Sequence, residues 1–475
     1  MTCDHIFLLL LHWVIRMETN SNFNISNISK WSYAETSIAP LVVFRIIFGL
    51  MMFFGILRFW LNGWIHDFFI KPDHFFHYYG FEWVKPMGEF GMYTVFALLL
   101  ISSLSIALGL FYRISSFLFF LFFTYVELID VTNYLNHYYF ISLVSFLMCF
   151  LPANRSFSID MMRSHSKKTL KSIPNWTLGI LKFQLGSVYF FSGIAKLNYH
   201  WLFDAMPMSI WLQAKTHWPL LGSLFTEKWV AYSCSWAACV FDLTIAFFLL
   251  SKRYRLIAYF ILVIFHVITG LMFPIGMFPW IMILATLIFF SQDFHERIIV
   301  FLRSIFNKQE KQEKELTVNN FSVLTGFKRN VLSAFLIIYL LIQMVVPFRY
   351  LLYPGDLFWT EQGYRFSWRV MLIEKAGTAF FYVTDPKTGK RGEVNNCDFL
   401  TVNQEKMMAT QPDLILQYAH MIKKEVEFRG LKNPIINAEV YVTLNGSRSK
   451  LFIDPEVDLT KLQDNFKPKE WILDN

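Results

Sequence analysis

The chain has 475 residues, of which 55% are hydrophobic, 19% aromatic and only 16% charged. A soluble protein of this length has no use for so much apolar surface, so the composition excludes a soluble globular class and points to an integral membrane protein. The net charge of +8 does not indicate nucleic acid, because the basic residues lie in short connections between apolar runs, as topology determinants do.

Residues 6–15 form an apolar run of about ten residues, too short to span a bilayer. It reads as an interfacial helix, a signal-like start, or sequence ahead of a true initiator at Met17. The polar linker after it carries Asn-Ile-Ser repeats of the glycosylation-acceptor type, and residues 1–37 form an N-terminal segment. About nine membrane segments come next, over residues 38–61, 92–111, 114–127, 137–151, 178–197, 230–250, 256–271, 275–291 and 331–346. The third, fourth and eighth are short, so the expected membrane domain, residues 38–347, has eight or nine helices.

Loop charge tests this map. Connections after the even segments are basic, with Arg113, then Arg155, Arg163, Lys167, Lys168 and Lys171, then Lys252, Arg253 and Arg255, then Arg297 through Arg329. Those after the odd segments hold only Lys71, Lys85, Lys215 and Lys228. The positive-inside rule then puts the even loops and the N-terminus in the cytoplasm and the C-terminal region outside it.

Residues 348–475 change character. Residues 359–370 and 378–383 have strand-like aromatic and β-branched content, with a turn at Asp385-Pro-Lys-Thr-Gly-Lys390. Residues 413–428 read as an amphipathic helix facing inward through Leu414, Leu416, Ala419, Met421 and Ile422. Residues 438–444 and 450–453 form a hairpin through Asn445-Gly446. The fold class is therefore an α-helical polytopic membrane domain followed by a small α+β extracytoplasmic domain. The five cysteines show no metal spacing or disulfide framework, and there is no P-loop, dinucleotide fingerprint or serine elbow.

Polar residues inside the membrane carry the chemistry. Lys196 ends the fifth segment with no carboxylate close to it in sequence, Asn136 and His137 open the fourth, and His266 lies in the outer half of the seventh. Each has a bland reading: snorkelling for Lys196, a packing role for His266, an N-cap for the Asn-His pair. All three nevertheless fall on the membrane side that carries the C-terminal domain, as a shared cavity requires. Asp242 in the sixth segment pairs with Arg45 of the first or with another buried base. Removal from water disfavours an ammonium, and a free amine serves as a general base or a Schiff-base nucleophile. A base at lipid depth suits a lipophilic acid such as a hydroquinone, with His137 and Asn136 stabilising the developing phenolate.

At these residues the sequence resembles the vitamin K-dependent gamma-glutamyl carboxylase family, whose membrane part is the HTTM domain. The matching stretches are Phe44-Arg-Ile-Ile-Phe-Gly49, Leu108-Gly-Leu-Phe-Tyr-Arg-Ile-Ser115, Asn136-His-Tyr138, Tyr189-Phe-Phe-Ser-Gly-Ile-Ala-Lys-Leu197 with Trp201, Phe265-His266, and Ile275-Gly-Met-Phe278. Beyond the membrane part they are Trp359-Thr360, Phe366-Ser-Trp368 and Phe452-Ile-Asp-Pro-Glu-Val-Asp458. The resemblance implies that Lys196 deprotonates vitamin K hydroquinone, which O2 converts to the epoxide. It implies further that His137, with Asn136 beside it, serves a second half in which CO2 is added to a peptidyl glutamate. On the same basis His266, Met277 and Phe278 hold the quinol, and Trp359, Trp368 and Met371 lie on the substrate-contact stretch. No metal is implied; the partners are the bilayer, a lipophilic quinol and a glutamate-containing protein or peptide. Arg369 stands where animal members have an acidic residue, and the resemblance does not extend to their further β-rich region. The short form is similar to bacterial members, which implies a bacterial inner or plasma membrane and carries quinol epoxidation over more directly than carboxylation. A different class also fits the residues, a quinone-binding or transport protein in which Lys196 and His266 only bind ligand; a structural partner subunit is a third.

Overall fold

Backbone polar groups inside a bilayer have no water to bond, so apolar runs of membrane length must form helices or closed barrels. In the computed structural model of the protein, which describes residues 30–163, 169–219, 221–306 and 326–474, they form helices. In chain order these are α1 (Ala39–Leu61), α2 (Gly88–Leu108), α3 (Tyr112–Ile129), α4 (Asn136–Phe150), α5 (Asn175–Ala195), α6 (Lys228–Leu250), α7 (Arg255–Met272), α8 (Phe278–Ala285), α9 (Gln292–Phe306) and α10 (Gly326–Val345). Among the described residues, seven helices are long and apolar enough to cross a membrane, or eight if a bent pair counts as one span. The apolar run at residues 6–15 and the Asn-Ile-Ser repeats lie outside the described residues.

Local chemistry explains where the helices depart from the apolar runs. Pro40 sits in the first turn of α1, where its missing N–H leaves no helical bond unmade, and Gly109 closes α2 in the left-handed conformation. The third span runs past Glu127 to Ile129, and Ser142 of α4 donates to one oxygen of the Glu127 carboxylate at 2.5 Å inside the bundle. The eighth breaks: Phe278–Phe289 and Gln292–Ile305 meet at 112°. Asp293, Glu296 and Arg297 come after the break, so the chain leaves its apolar path there and continues as an amphipathic helix. Two pairs of helices approach unusually closely. A Cβ at Gly49 of α1 would lie 2.5 Å from the Ala107 nitrogen of α2, and one at Gly193 of α5 would lie 2.7 Å from the Leu243 nitrogen of α6.

A short antiparallel pair, β1 (Glu35–Ser37) with β2 (Ser172–Pro174), ties the start of α1 to the start of α5. The C-terminal region holds a four-stranded antiparallel sheet of order β4-β3-β5-β6, from β3 (Lys375–Thr384), β4 (Arg391–Val394), β5 (Ile435–Leu444) and β6 (Lys450–Leu451). In β5 the alternate residues Ile436, Ala438, Val440, Val442 and Leu444 are buried, the period of a strand with one face on a core. The same core takes Leu414, Ile415, Leu416, Tyr418, Ala419 and Ile422 of α12 (Pro412–Phe428), which α11 (Val402–Met408) precedes. The β5–β6 turn uses Asn445 and Gly446, both at positive φ, as expected for that dipeptide.

One expected strand is absent. Residues 359–370 do not pair with the sheet: Leu357–Thr360 is a single helical turn, and residues 361–371 form a loop in which Glu361, Phe366, Trp368 and Met371 are left-handed. The aromatic content that suggested a strand serves as anchors instead. Phe366 packs against Tyr78, Tyr134 and Tyr139, and Trp368 stacks on Tyr139 at 4.8 Å. Polar clamps complete the docking of the C-terminal region on the helices. Gln404 donates to Asp130 at 2.9 Å and to the His74 carbonyl at 2.8 Å, and Gln417 makes both hydrogen bonds to the His77 backbone.

Candidate active site

Lys196 caps the C-terminal end of α5. Side chains on a helix lean towards its N-terminus, so a lysine here projects back into the bundle and would have to turn against that lean to snorkel. Its amine is 2.8 Å from Ser192 Oγ one turn earlier and 2.8 Å from Asp242 Oδ2 on α6. Ser192 Oγ in turn donates to the same carboxylate oxygen at 2.8 Å. Lys196 and Asp242 are each 5% exposed, which excludes the snorkelling reading. The close approach at Gly193 lets the two helices share this pair.

The rest of the Lys196 motif builds the wall around the amine. Asn198 caps the short helix Tyr199–Phe203 by accepting from Trp201 N, and its amide donates to the Ala195 carbonyl at 2.9 Å. That turn brings the buried Trp201 ring to 5.3 Å from the lysine nitrogen, and Trp201 is fixed on α6 by its Nε1–H bond to Ser235 O. From the C-terminal region, the Val370 carbonyl comes to 3.5 Å of the same amine. The strained loop of residues 361–371 thus reaches the lysine, and strained backbone of this kind gathers at functional sites.

Asn136 does not cap α4; Leu135 holds the cap position. Its amide instead donates to the Arg369 carbonyl at 3.0 Å while its oxygen accepts from Tyr134 OH at 3.1 Å, and Tyr134 OH accepts from Phe366 N at 2.8 Å. Asn136 therefore holds the loop whose next residue contacts Lys196. His137 is buried beside Tyr138, and the Phe278 ring lies between it and His266, 5.7 Å from one and 5.8 Å from the other. His266 Nε2 bonds Tyr189 OH at 2.8 Å, while its Nδ1 is buried with no partner among the described residues. Phe241, adjacent to Asp242, stacks on Phe265 at 4.0 Å and packs on Tyr189, joining the histidine group to the lysine pair. An aromatic wall with an unsatisfied buried ring nitrogen fits a flat, hydroxyl-bearing aromatic ligand.

The remaining expected site residues divide. Met277 precedes α8 beside Phe278 and packs on the helical core. Trp368 and Met371 lie on the loop that reaches Lys196. Trp359 lies in the core of the C-terminal region, edge-on to Phe452 with its Nε1–H on Leu473 O, and is not brought to the lysine. Arg45 does not meet Asp242; it bonds the carbonyls of Ala153 and Phe157 at 2.8 and 2.6 Å, far along the bundle.

Several contributors escaped sequence reasoning. Ser192, one turn before Lys196, was available from the same-face spacing. Asp242, the sole carboxylate within α6, was expected to pair with Arg45 or another buried base, and Lys196 is that base. Tyr134, Tyr189 and Val370 had no signal, since each matters through a tertiary contact. On the loop, burial holds the Arg369 guanidinium below its ordinary value; it lies 4.4 Å from the Tyr350 ring. Farther out, burial opposes charge on Asp413, but Arg365 at 2.5 Å outweighs it and holds that carboxyl below the usual range.

Two family descriptions match the chain. Residues 33–294 match the HTTM domain, and residues 328–475 match the vitamin K-dependent gamma-carboxylase, lumenal domain. No solved structure matches it. The first match spans more than half of the chain and the second most of the residues beyond α9, so the bundle that carries Lys196 and the region whose loop covers it belong together: the chain is a multi-pass member of the vitamin K-dependent gamma-carboxylase family.

Proposed function

We propose that this protein deprotonates and oxygenates a vitamin K-type hydroquinone to its epoxide at the outer face of a bacterial inner or plasma membrane, with carboxylation of peptidyl glutamate as a second half. The observation that carries this reading is the buried amine of Lys196, hydrogen-bonded to Asp242 and Ser192 and covered by the Val370 carbonyl. Lys196 and Asp242 together give a quinol hydroxyl a site of proton transfer inside the helical bundle. Lys196 takes the hydroquinone proton. Phe278, Met277 and the Nδ1 of His266, which has no partner among the described residues, hold the ring, and His137 with Asn136 lies at the edge that faces the loop. Trp368 and Met371 present the glutamyl side chain, while Trp359 supports their stretch from the core of the C-terminal region. The loop charges support an N-terminus in the cytoplasm and a C-terminal domain outside it.

The test is to incubate purified protein with reduced vitamin K, O2, labelled bicarbonate and a short glutamate peptide, comparing wild type with Lys196→Ala. Epoxide from wild type and none from the variant is expected. Epoxide without label on the peptide confines the activity to its first half. Quinol binding without epoxide in wild type overturns the enzyme reading in favour of a quinone-binding or transport protein.

A further inference from the structure

We propose that Asp242 acts through Lys196: it holds the lysine as an ammonium at rest and takes one of its protons when the base forms, so that the free amine arises inside the pair without loss of a proton to water. This rests on the reading of Lys196 as the base, and it names what makes that base.

At rest the lysine offers no lone pair. An ammonium has three protons, and each has an acceptor here: Ser192 Oγ at 2.8 Å, Asp242 Oδ2 at 2.8 Å, and the carbonyls of Ser192 and Val370 at 3.4 and 3.5 Å. An apolar surrounding alone therefore does not account for a free amine, because the surrounding includes a carboxylate. The carboxylate also has room for a proton. Oδ2 accepts from both Lys196 and Ser192, whereas Oδ1 accepts nothing among the described residues.

Moving the proton is balanced. One Nζ–H bond breaks and leaves its electron pair on nitrogen, and an O–H bond forms on Asp242; the proton count and net charge of the pair do not change. The neutral pair also escapes the cost of holding two desolvated charges. Other groups that face the pair are engaged elsewhere. Tyr189 and His266 bond each other at 2.8 Å, Cys239 Sγ lies 3.9 Å from the Gly193 carbonyl, and the Arg369 guanidinium stacks on Tyr350. Among the described residues, Asp242 is the one acidic side chain in hydrogen-bond contact with the lysine.

The distinction can be read without quinol or O2. Full-length protein in lipid nanodiscs is reductively methylated with formaldehyde and a borane, and modification is followed at Lys196 and at exposed Lys390 by mass spectrometry. Lys390 reacts about tenfold faster per pH unit, since each amine formed there releases a proton. Wild-type Lys196 is expected to react at a level rate from about pH 6.5 to about 8.5, because its amine forms with no change in bound protons. Asp242→Asn should restore the tenfold climb, and Asp242→Glu should return the level profile. If Asp242→Asn does not fold, the wild-type profile decides alone. A wild-type Lys196 that climbs like Lys390, or an Asp242→Asn protein as level as wild type, overturns the proposal. So does a Lys196 that reacts in neither protein, since a base must present its lone pair. No epoxide is involved, so this outcome is separate from whether the quinol reaction occurs.

Discussion

Gly193→Ala should disturb the site by geometry alone, and its size can be worked from the helix crossing. The added Cβ would lie 2.7 Å from the Leu243 backbone nitrogen and 2.8 Å from the Leu243 side chain. Backbone cannot rotate away, so α5 and α6 must part by about 0.7 Å to recover ordinary contact. Passed on to the ion pair, that stretches the Lys196–Asp242 contact from 2.8 Å to about 3.5 Å, the limit of a hydrogen bond. Gly186→Ala is the matched control, two turns earlier on the same interface, where the new Cβ meets Ala246 Cβ at an ordinary 3.6 Å. Both variants gain the same helix propensity, about 1 kcal/mol at most. It cancels between them, leaving the overpacking cost of about 1–3 kcal/mol on Gly193→Ala. The assay is denaturant unfolding in mixed micelles for both variants, with epoxide formation in parallel; displacement of reacting groups on this scale predicts a loss of roughly 10- to 100-fold. Equal stability and equal rates for the two variants would refute the idea that the glycine sets the pair.

Three further outcomes concern the docking of the C-terminal region, and a fourth its side of the membrane. Asp413 sits below the usual carboxylate range, chiefly because Arg365 outweighs its burial. Its contribution is therefore present above the unfolded value and lost as pH falls through the folded one. Resistance of the loop to proteolysis should drop below about pH 4, and Asp413→Asn should remove that acid step, worth about 1 kcal/mol at this partly exposed pair. Trp368→Ala, at a side chain 1% exposed, should cost about 3–5 kcal/mol in thermal unfolding and raise the KM for a glutamate peptide. Trp359→Ala should cost a similar amount through the C-terminal core without first freeing the loop from Tyr139. A cysteine at exposed Lys390 should react with an impermeant thiol reagent added outside intact cells; labelling only after lysis would reverse the proposed topology.

Apolar run length identified the helices, because it obeys the bilayer and not the tertiary fold. Among the boundaries that shifted, the end of α3 runs past Glu127, which meets Ser142, and the eighth span breaks after Phe289. In the C-terminal region the period-2 pattern of β5 and the helical pattern of α12 were plain. Residues 359–370 misled because aromatic density looks alike in a strand and in a plug that fills clefts between helices. Lys196, Asn136, His137 and His266 stood out as polar groups at membrane depth. Their partners did not, since Asp242 lies 46 residues along the chain from Lys196 and the loop carbonyl 174 residues along. The Asp242–Lys196 bond is also the main change to the chemistry expected from sequence, which had the lysine in apolar surroundings.

The central claim is that Lys196 starts oxygenation of a vitamin K-type hydroquinone, and isotopic oxygen tests it most directly. Wild-type protein and Lys196→Ala, both shown to be folded, are given reduced vitamin K under 18O2, and the extracted quinone products are examined by mass spectrometry. The account predicts 18O-labelled epoxide from wild type and a loss of at least about a thousandfold in the variant. Labelled epoxide at the same rate from both proteins would contradict it.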